Sequence, residues 1–195
     1  MSIIIPQAET VQPARRSFLS GFGRLTLSAT AIALLAGHER LAPIGAAHAK
    51  EANNDVAILN AALAAEQEAI AAYQLGASSG LLQKPVLDLA VVFQGHHKEH
   101  VDVLAKTISK LGGKPAGAKP KYSFPTEKLK TQADVLQFAA SLEKGAVSAY
   151  LNAVPLFGNR ALAQAAASIL GDEAMHWAIL RNAVGEVPVP AAFVS

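Results

Sequence analysis

Four apolar helical stripes in this sequence are each interrupted midway by ionisable residues, and few folds tolerate such a pattern. The first stripe steps by three and four through Val56, Leu59, Leu63, Ile70 and Tyr73, and Glu66 falls on it between Leu63 and Ile70. A second passes Leu89 and Phe93, then His96, His97 and His100, then Leu104 and Ile108. A third runs Leu136, Ala139, Glu143, Ala146 and Tyr150, and a fourth Leu162, Ala166, Ile169, Glu173, His176 and Leu180. A buried, unpaired carboxylate costs several kcal/mol and either neutralises or finds a partner. One such residue is unremarkable, but four helices carrying them at matched depth need a shared cause. A metal ion is one such cause, because it compensates carboxylates and uses neutral imidazoles as ligands. A buried salt bridge or a proton-sharing cluster is the competing account, although no Lys or Arg lies on these stripes.

The stripes divide the chain into four expected helices, at about 54–77, 85–111, 131–157 and 160–185, and no segment shows sustained strand alternation. Asn54-Asp55 offers an N-cap for the first helix, and Ser78-Ser79-Gly80 ends it. The second begins near Pro85 and stops at Leu111-Gly112-Gly113. Thr131 with Asp134 resembles a capping box for the third, and Pro155 should kink or end its last turn. The stretch 114–130 is rich in Lys, Pro and Gly, and its Lys114, Lys119, Lys121, Lys128 and Lys130 read as an exposed connection. Short links within each pair and a long link between pairs predict an all-α, antiparallel four-helix bundle: two helix hairpins joined by a long crossover.

The two hairpins share a design. Glu66-x-x-Ala69-Ile70-x-Ala72-Tyr73 in the first helix matches Glu143-x-x-Ala146-Val147-x-Ala149-Tyr150 in the third. Gly95-x-His97-x-x-His100 in the second is echoed by Gly171-x-Glu173-x-x-His176 in the fourth, and each is followed four residues later by Leu104 or Leu180. The spacing suggests an internal repeat, and Gly95 and Gly171 are expected to permit close helix packing. Glu68 lies about 200° around the wheel from Glu66, and Glu99 about 100° from His100, so both are expected on solvated faces. Trp177 is expected to pack.

Residues 1–49 read as a cleavable export signal. Arg15-Arg16 followed by Phe18-Leu19 resembles a twin-arginine signal, whose export machinery would engage residues 15–19. The apolar run Leu25–Gly37 is shorter than the roughly 20 residues of a membrane span, and Ala47-His48-Ala49 fits cleavage near Ala49-Lys50. An ordinary secretory signal with two adjacent arginines remains open. Folded export would let a site load iron or manganese before meeting competing copper outside. The expected location is the periplasm or cell envelope, with residues 50–195 as the mature domain. Residues 1–49 hold four of the 17 Lys and Arg and two of the 15 Asp and Glu, so the remainder carries 13 of each sign and no case for a nucleic-acid partner. The absence of Cys rules out disulfides, thiolate sites and a thiol nucleophile.

From about Asp55 to Gly185 the sequence resembles the ferritin-like superfamily, and the leader-plus-domain layout is similar to twin-arginine-exported bacterial members. The resemblance rests on Glu66, Glu143, Glu173-x-x-His176 and His97-x-x-His100 in the order of carboxylate-bridged dimetal bundles. It implies a non-haem di-iron or di-manganese centre, with neither haem nor nucleotide, and chemistry with dioxygen, peroxide or metal ions. By motif, Glu66, His100, Glu143, Glu173 and His176 are implied as metal ligands, with His97 standing where the pattern has a bridging Glu. That substitution leaves three Glu and three His, so a mononuclear site, or a zinc or copper site, also comes into view. His96, about 40° around the helix from His100, could contribute or stand behind the ligands. Tyr73 and Tyr150 are expected as core aromatics with hydroxyls bonded to ligand carboxylates.

Three functions follow. The first is a non-haem metal oxidoreductase or metal-handling protein of the envelope. The second is a non-catalytic bundle with a structural or stress-protective role that binds one metal or none. The third, a partner-binding helical module, predicts an exposed apolar patch without ligand convergence. A homo-oligomer stays open.

Overall fold

The computed structural model describes residues 46–194, with side chains from residue 53. The expected export signal therefore lies outside the described residues, apart from positions 46–49. Four helices carry the fold: α1 (Ala46–Ser78), α2 (Lys84–Lys110), α3 (Gln132–Ala153) and α4 (Arg160–Ala183). Two short 3-10 turns, Thr126–Lys128 and Val154–Leu156, precede and follow α3. No strand occurs among the described residues, and no helix there is long and apolar enough to cross a membrane.

Local chemistry sets most helix ends. Thr131 caps α3 through a reciprocal box in which its hydroxyl accepts from the Asp134 amide and Asp134 accepts from the Thr131 amide. Asn159 caps α4 by accepting from the Ala161 amide at 2.8 Å. Pro155 stops α3 at Ala153, four residues short of the expected end, and the chain tightens into the second 3-10 turn. At the end of α2, Gly112 takes φ +78°, while the amides of Gly113 and Gly112 close onto the carbonyls of Ile108 and Ser109.

Asn54-Asp55 does not start α1, which begins at Ala46. The preceding Ala-rich segment propagates helix well, and a potential cap has no effect where the upstream residues are themselves helical. Asp55 is instead buried and accepts from the amides of Gly158 and Asn159 at 2.8 and 3.1 Å, where the chain turns into α4. Asn54 donates to the Leu156 carbonyl in the same corner.

These contacts place the start of α1 beside the end of α3, so the two run antiparallel. Phe93 shares one core layer with Leu180, and Leu104 shares the other with Leu162, so α2 and α4 are antiparallel too. The crossover returns along α1, where Asn60 and Gln67 bond to the backbone of Lys114 and Ala116. Phe124 then packs edge-on against Phe138 of α3. The five lysines named above are all exposed. The arrangement is the expected all-α bundle of two helix hairpins joined by a long crossover.

Close approach falls at a different glycine from those expected. A Cβ on Gly95 or Gly171 would meet nothing within 4 Å, whereas one on Gly113 would come within 2.6 Å of Val56. Gly95 and Gly171 each lie two residues before an inward side chain, about 200° around the helix, and so point away from the core.

The core has two apolar layers. One gathers Leu59, Leu63, Leu104, Ile108, Leu162 and Ile169 among others. The other holds Tyr73, Phe93, Leu136 and Leu180. The ionisable residues of the four stripes lie in the slab between them.

Candidate metal centre

Each helix delivers its polar residues to the middle of the bundle. Glu66, His97, Glu143, Glu173 and His176 are all at most 3% exposed, and His100 is 15% exposed. Side chains drawn so far from water need compensation at close range. Their donor atoms fall into two overlapping groups, each within 4.8 Å: Glu66, His97, His100 and Glu173, and His97, Glu143, Glu173 and His176. The structure therefore brings together all six residues singled out from the sequence.

Glu173 stands between the groups. Its Oε1 lies 3.2 Å from His100 Nδ1, and its Oε2 lies 3.7 Å from His176 Nδ1. Glu66 Oε2 is 3.4 Å from His100 Nδ1 on one side, and Glu143 Oε1 is 3.5 Å from His176 Nδ1 on the other. The His97 ring spans both, with Nδ1 2.8 Å from Glu66 Oε2 and Nε2 3.4 Å from Glu143 Oε1. The tyrosines cross between hairpins: Tyr73 of α1 donates to Glu143 of α3, and Tyr150 of α3 donates to Glu66 of α1 at 2.6 Å. Both hydroxyls are kept protonated, first by burial and then by the carboxylate each one faces.

The charges of the metal-free cluster follow from this packing. Burial would raise the Glu66 carboxyl, but His100 and His97 overcome it and hold the group at about 2. Burial is likewise overcome at Glu143, where His176 and His97 keep the carboxyl well below its usual range. At Glu173 burial wins, and with Glu143 and Glu66 nearby the group is pushed up to about 7. Burial opposes charge on the imidazoles, yet the carboxylates prevail. Glu143 and Glu66 raise His97 to about 10; Glu173 and Glu66 raise His100 to about 9, and Glu143 and Glu173 raise His176 to about 9.

Five buried atoms nevertheless make no hydrogen bond: His100 Nδ1, Glu143 Oε2, both oxygens of Glu173 and His176 Nδ1. Four of them have neighbours at ion-pair range without the alignment a hydrogen bond needs. About nine in ten buried polar atoms in folded proteins are hydrogen-bonded, so five orphans in one slab ask for a common partner. Carboxylate oxygens and imidazole nitrogens are the donors that iron, manganese and zinc accept. The donor set fits a divalent metal.

A cavity of about 570 Å³ reaches this cluster between α1 and α3. Glu66, Tyr73, His97, Glu143 and Tyr150 line its inner end, and its walls are small residues such as Ala65 and Ala149. The small side chains leave the gap open, so a neutral molecule has a path to the carboxylates.

The ferritin-like domain family matches residues 54–186, most of the chain and every residue of the cluster. The chain belongs to the ferritin-like domain family. Among solved structures, a conserved hypothetical protein from Mycobacterium tuberculosis has a TM-score of 0.64 at 24% identity, covering 73% of this chain and 99% of that one. A protein described as a ferritin-like, diiron-carboxylate protein from Bacillus anthracis has a TM-score of 0.61 at 20% identity, covering 69% and 97%. At these identities the likeness establishes the fold. No curated protein matches the sequence.

The residues at the rim of this ferritin-like cluster refine the sequence reading. His96 is 40% exposed yet engaged, with Nδ1 3.1 Å from Asp172 Oδ2 and 2.9 Å from His176 Nε2. Asp172 was not singled out from the sequence. Its Oδ2 lies 3.5 Å from His100 Nε2 and 3.4 Å from His176 Nε2, the ring nitrogens facing away from the cluster. The available signal was its i,i+4 spacing from His176. Glu99 is exposed as expected, whereas Glu68 is half-buried and lines the cavity. Trp177 is half-buried and lies under the charged ends of Lys144 and Arg181.

Proposed function

We propose that this ferritin-like chain binds non-haem iron or manganese at the Glu66, His97, His100, Glu143, Glu173 and His176 cluster and uses it for redox or metal-stress chemistry. The five unpartnered buried donor atoms carry this reading. The description of the Bacillus anthracis protein as diiron-carboxylate supports it. Bound iron or manganese would supply one-electron redox chemistry towards a small oxidant.

The chain's own residues set the terms of binding. Glu66 with His100 and Glu143 with His176 would hold one ion each, and Glu173, with one oxygen towards each pair, would serve both. Tyr73 and Tyr150 fix the carboxylates as neutral donors. Asp172 places a negative charge behind the His100 and His176 rings, at 3.5 and 3.4 Å from their Nε2 atoms. The Ala-walled cavity admits a small neutral molecule on the side of Glu66 and Glu143. Three carboxylates supply −3, so two divalent ions would require a further anion.

A second reading rests on His97. Its two nitrogens already face Glu66 and Glu143, and three imidazolium groups against the glutamates come close to balancing charge without any metal. A structural or stress-protective bundle that binds one ion or none fits that balance. Export belongs to the proposal as well: Arg15-Arg16 and Ala47-His48-Ala49 support twin-arginine passage to the periplasm or envelope. Elemental analysis of protein recovered from its export route tests the reading. About two iron or manganese ions per chain are expected. An absence of bound transition metal, with melting unchanged on adding iron, manganese or zinc, would leave the second reading standing.

A further inference from the structure

We propose that His96, Asp172 and the outward nitrogen of His176 form an outer station that captures a divalent cation and hands it to the inner cluster. The proposal rests on the metal-binding reading of that cluster but concerns a different set of atoms. His96 Nδ1, Asp172 Oδ2 and His176 Nε2 form a triangle with edges of 2.9, 3.1 and 3.4 Å. Ligand atoms bound to one ion at about 2.0–2.1 Å stand about 2.9–3.4 Å apart, whether the geometry is octahedral or tetrahedral. Two imidazoles and one carboxylate on one face of an ion leave its remaining positions free, and here they open towards solvent.

Position gives the station its role. Exposure falls from 40% at the His96 side chain through 23% at Asp172 and 15% at His100 to 1% at His176. Nitrogen and oxygen donors thus line a continuous path from water to the slab on the α2–α4 side. The cavity on the α1–α3 side carries Glu68 among its small-residue walls and reaches further charged donors, Glu66, His97 and Glu143, at its inner end. The α2–α4 face adds a graded entry past His96, where an imidazole and a carboxylate stand at the water's edge.

His176 couples the two places. Its Nε2 belongs to the outer triangle, while its Nδ1 points at Glu143 and Glu173. A neutral imidazole has one lone pair, so the ring serves the outer station with its proton on Nδ1, or the inner cluster with its proton on Nε2 facing Asp172. Outer capture and inner binding through this ring exclude one another. The station is a transfer point, used while the inner cluster is empty.

Cobalt(II) uptake by metal-free protein, followed by stopped-flow visible absorption, tests the proposal in three forms. The unmodified chain should show a fast phase and then a slower one as the inner cluster fills. His96→Ala should lose the fast phase and fill the inner cluster about tenfold more slowly, to the same final stoichiometry. The Glu66→Gln/Glu143→Gln double variant should keep one weakly held ion, and adding His96→Ala should abolish it. Filling of His96→Ala at the unmodified rate would overturn the outer station while leaving the inner site intact. A folded double variant, checked by circular dichroism, that binds no cobalt would also overturn it. An unmodified chain that takes up no ion would overturn the inner-site reading along with this one.

Discussion

At the scale of single residues, His97 decides how the cluster balances its charge. A bridging carboxylate there would give −4, which matches two divalent ions, whereas the imidazole leaves −3 and can itself carry a proton. His97→Glu should therefore bind a second divalent ion more tightly, as read by competitive metal titration. The same variant should melt lower without metal, because four buried carboxylates would then face two imidazoles. A metal-free melting temperature equal to that of the unmodified chain would show that His97 is not a charge partner of Glu66 and Glu143. Asp172→Asn should weaken metal binding about 10–100-fold with helicity unchanged, because His100 and His176 lose the negative charge behind their rings. Glu66, Glu143, Glu173 and His176 were legible because they break an apolar stripe. Asp172 was not, since it lies at the edge of the α4 stripe, about 40° from His176 but about 100° from Glu173, and looks like a surface acid.

At the scale of elements, local signals served where the partner was local. The Thr131–Asp134 box spans three residues and lies where the sequence puts it; Thr131→Ala should cost about 0.5–2 kcal/mol in urea unfolding. Asn54-Asp55 looks like a cap by the same rule, but its partners are Leu156, Gly158 and Asn159, a hundred residues away, and no local rule could find them. Glycines divide in the same way. Gly113→Ala should cost about 1–3 kcal/mol through its clash with Val56, and Val56→Ala should recover part of the loss. Gly95→Ala, with nothing within 4 Å, should instead stabilise α2 by about 0.5–1 kcal/mol. The reverse ranking in unfolding experiments would contradict the packing described here.

At the scale of the whole molecule, two apolar layers clamp a charged slab, and pH sets the strength of the metal-free form. The raised values of His97, His100 and His176 contribute stability that is full below 6.5 and lost as pH rises through about 9 to 10. Glu173, raised to about 7, likewise favours the fold below 4.5 and ceases to do so as pH rises through about 7. Glu66, held at about 2, contributes above 4.5 and loses its contribution as pH falls through about 2. Melting in a chelator should therefore be higher at about pH 6 than at about pH 10, and added divalent metal should narrow that gap, because metal ligation replaces protons on the imidazoles. A flat profile would mean that the six residues are not coupled. The all-α bundle and the convergence of the six residues could be read from periodicity and from the matched spacing of motifs in the two hairpins. The cavity could not, because alanines on facing helices read as close packing until the distance between α1 and α3 is known.

In the proposed function the buried slab is a metal centre. Anomalous X-ray diffraction from crystals of the metal-loaded protein, collected at the iron or manganese edge, tests it most directly. Two peaks are expected, one among Glu66, His97, His100 and Glu173 and one among His97, Glu143, Glu173 and His176, with Glu173 reaching both. A slab without an anomalous peak, in crystals grown with excess metal, would contradict the account and leave a metal-free network of glutamate and histidine pairs.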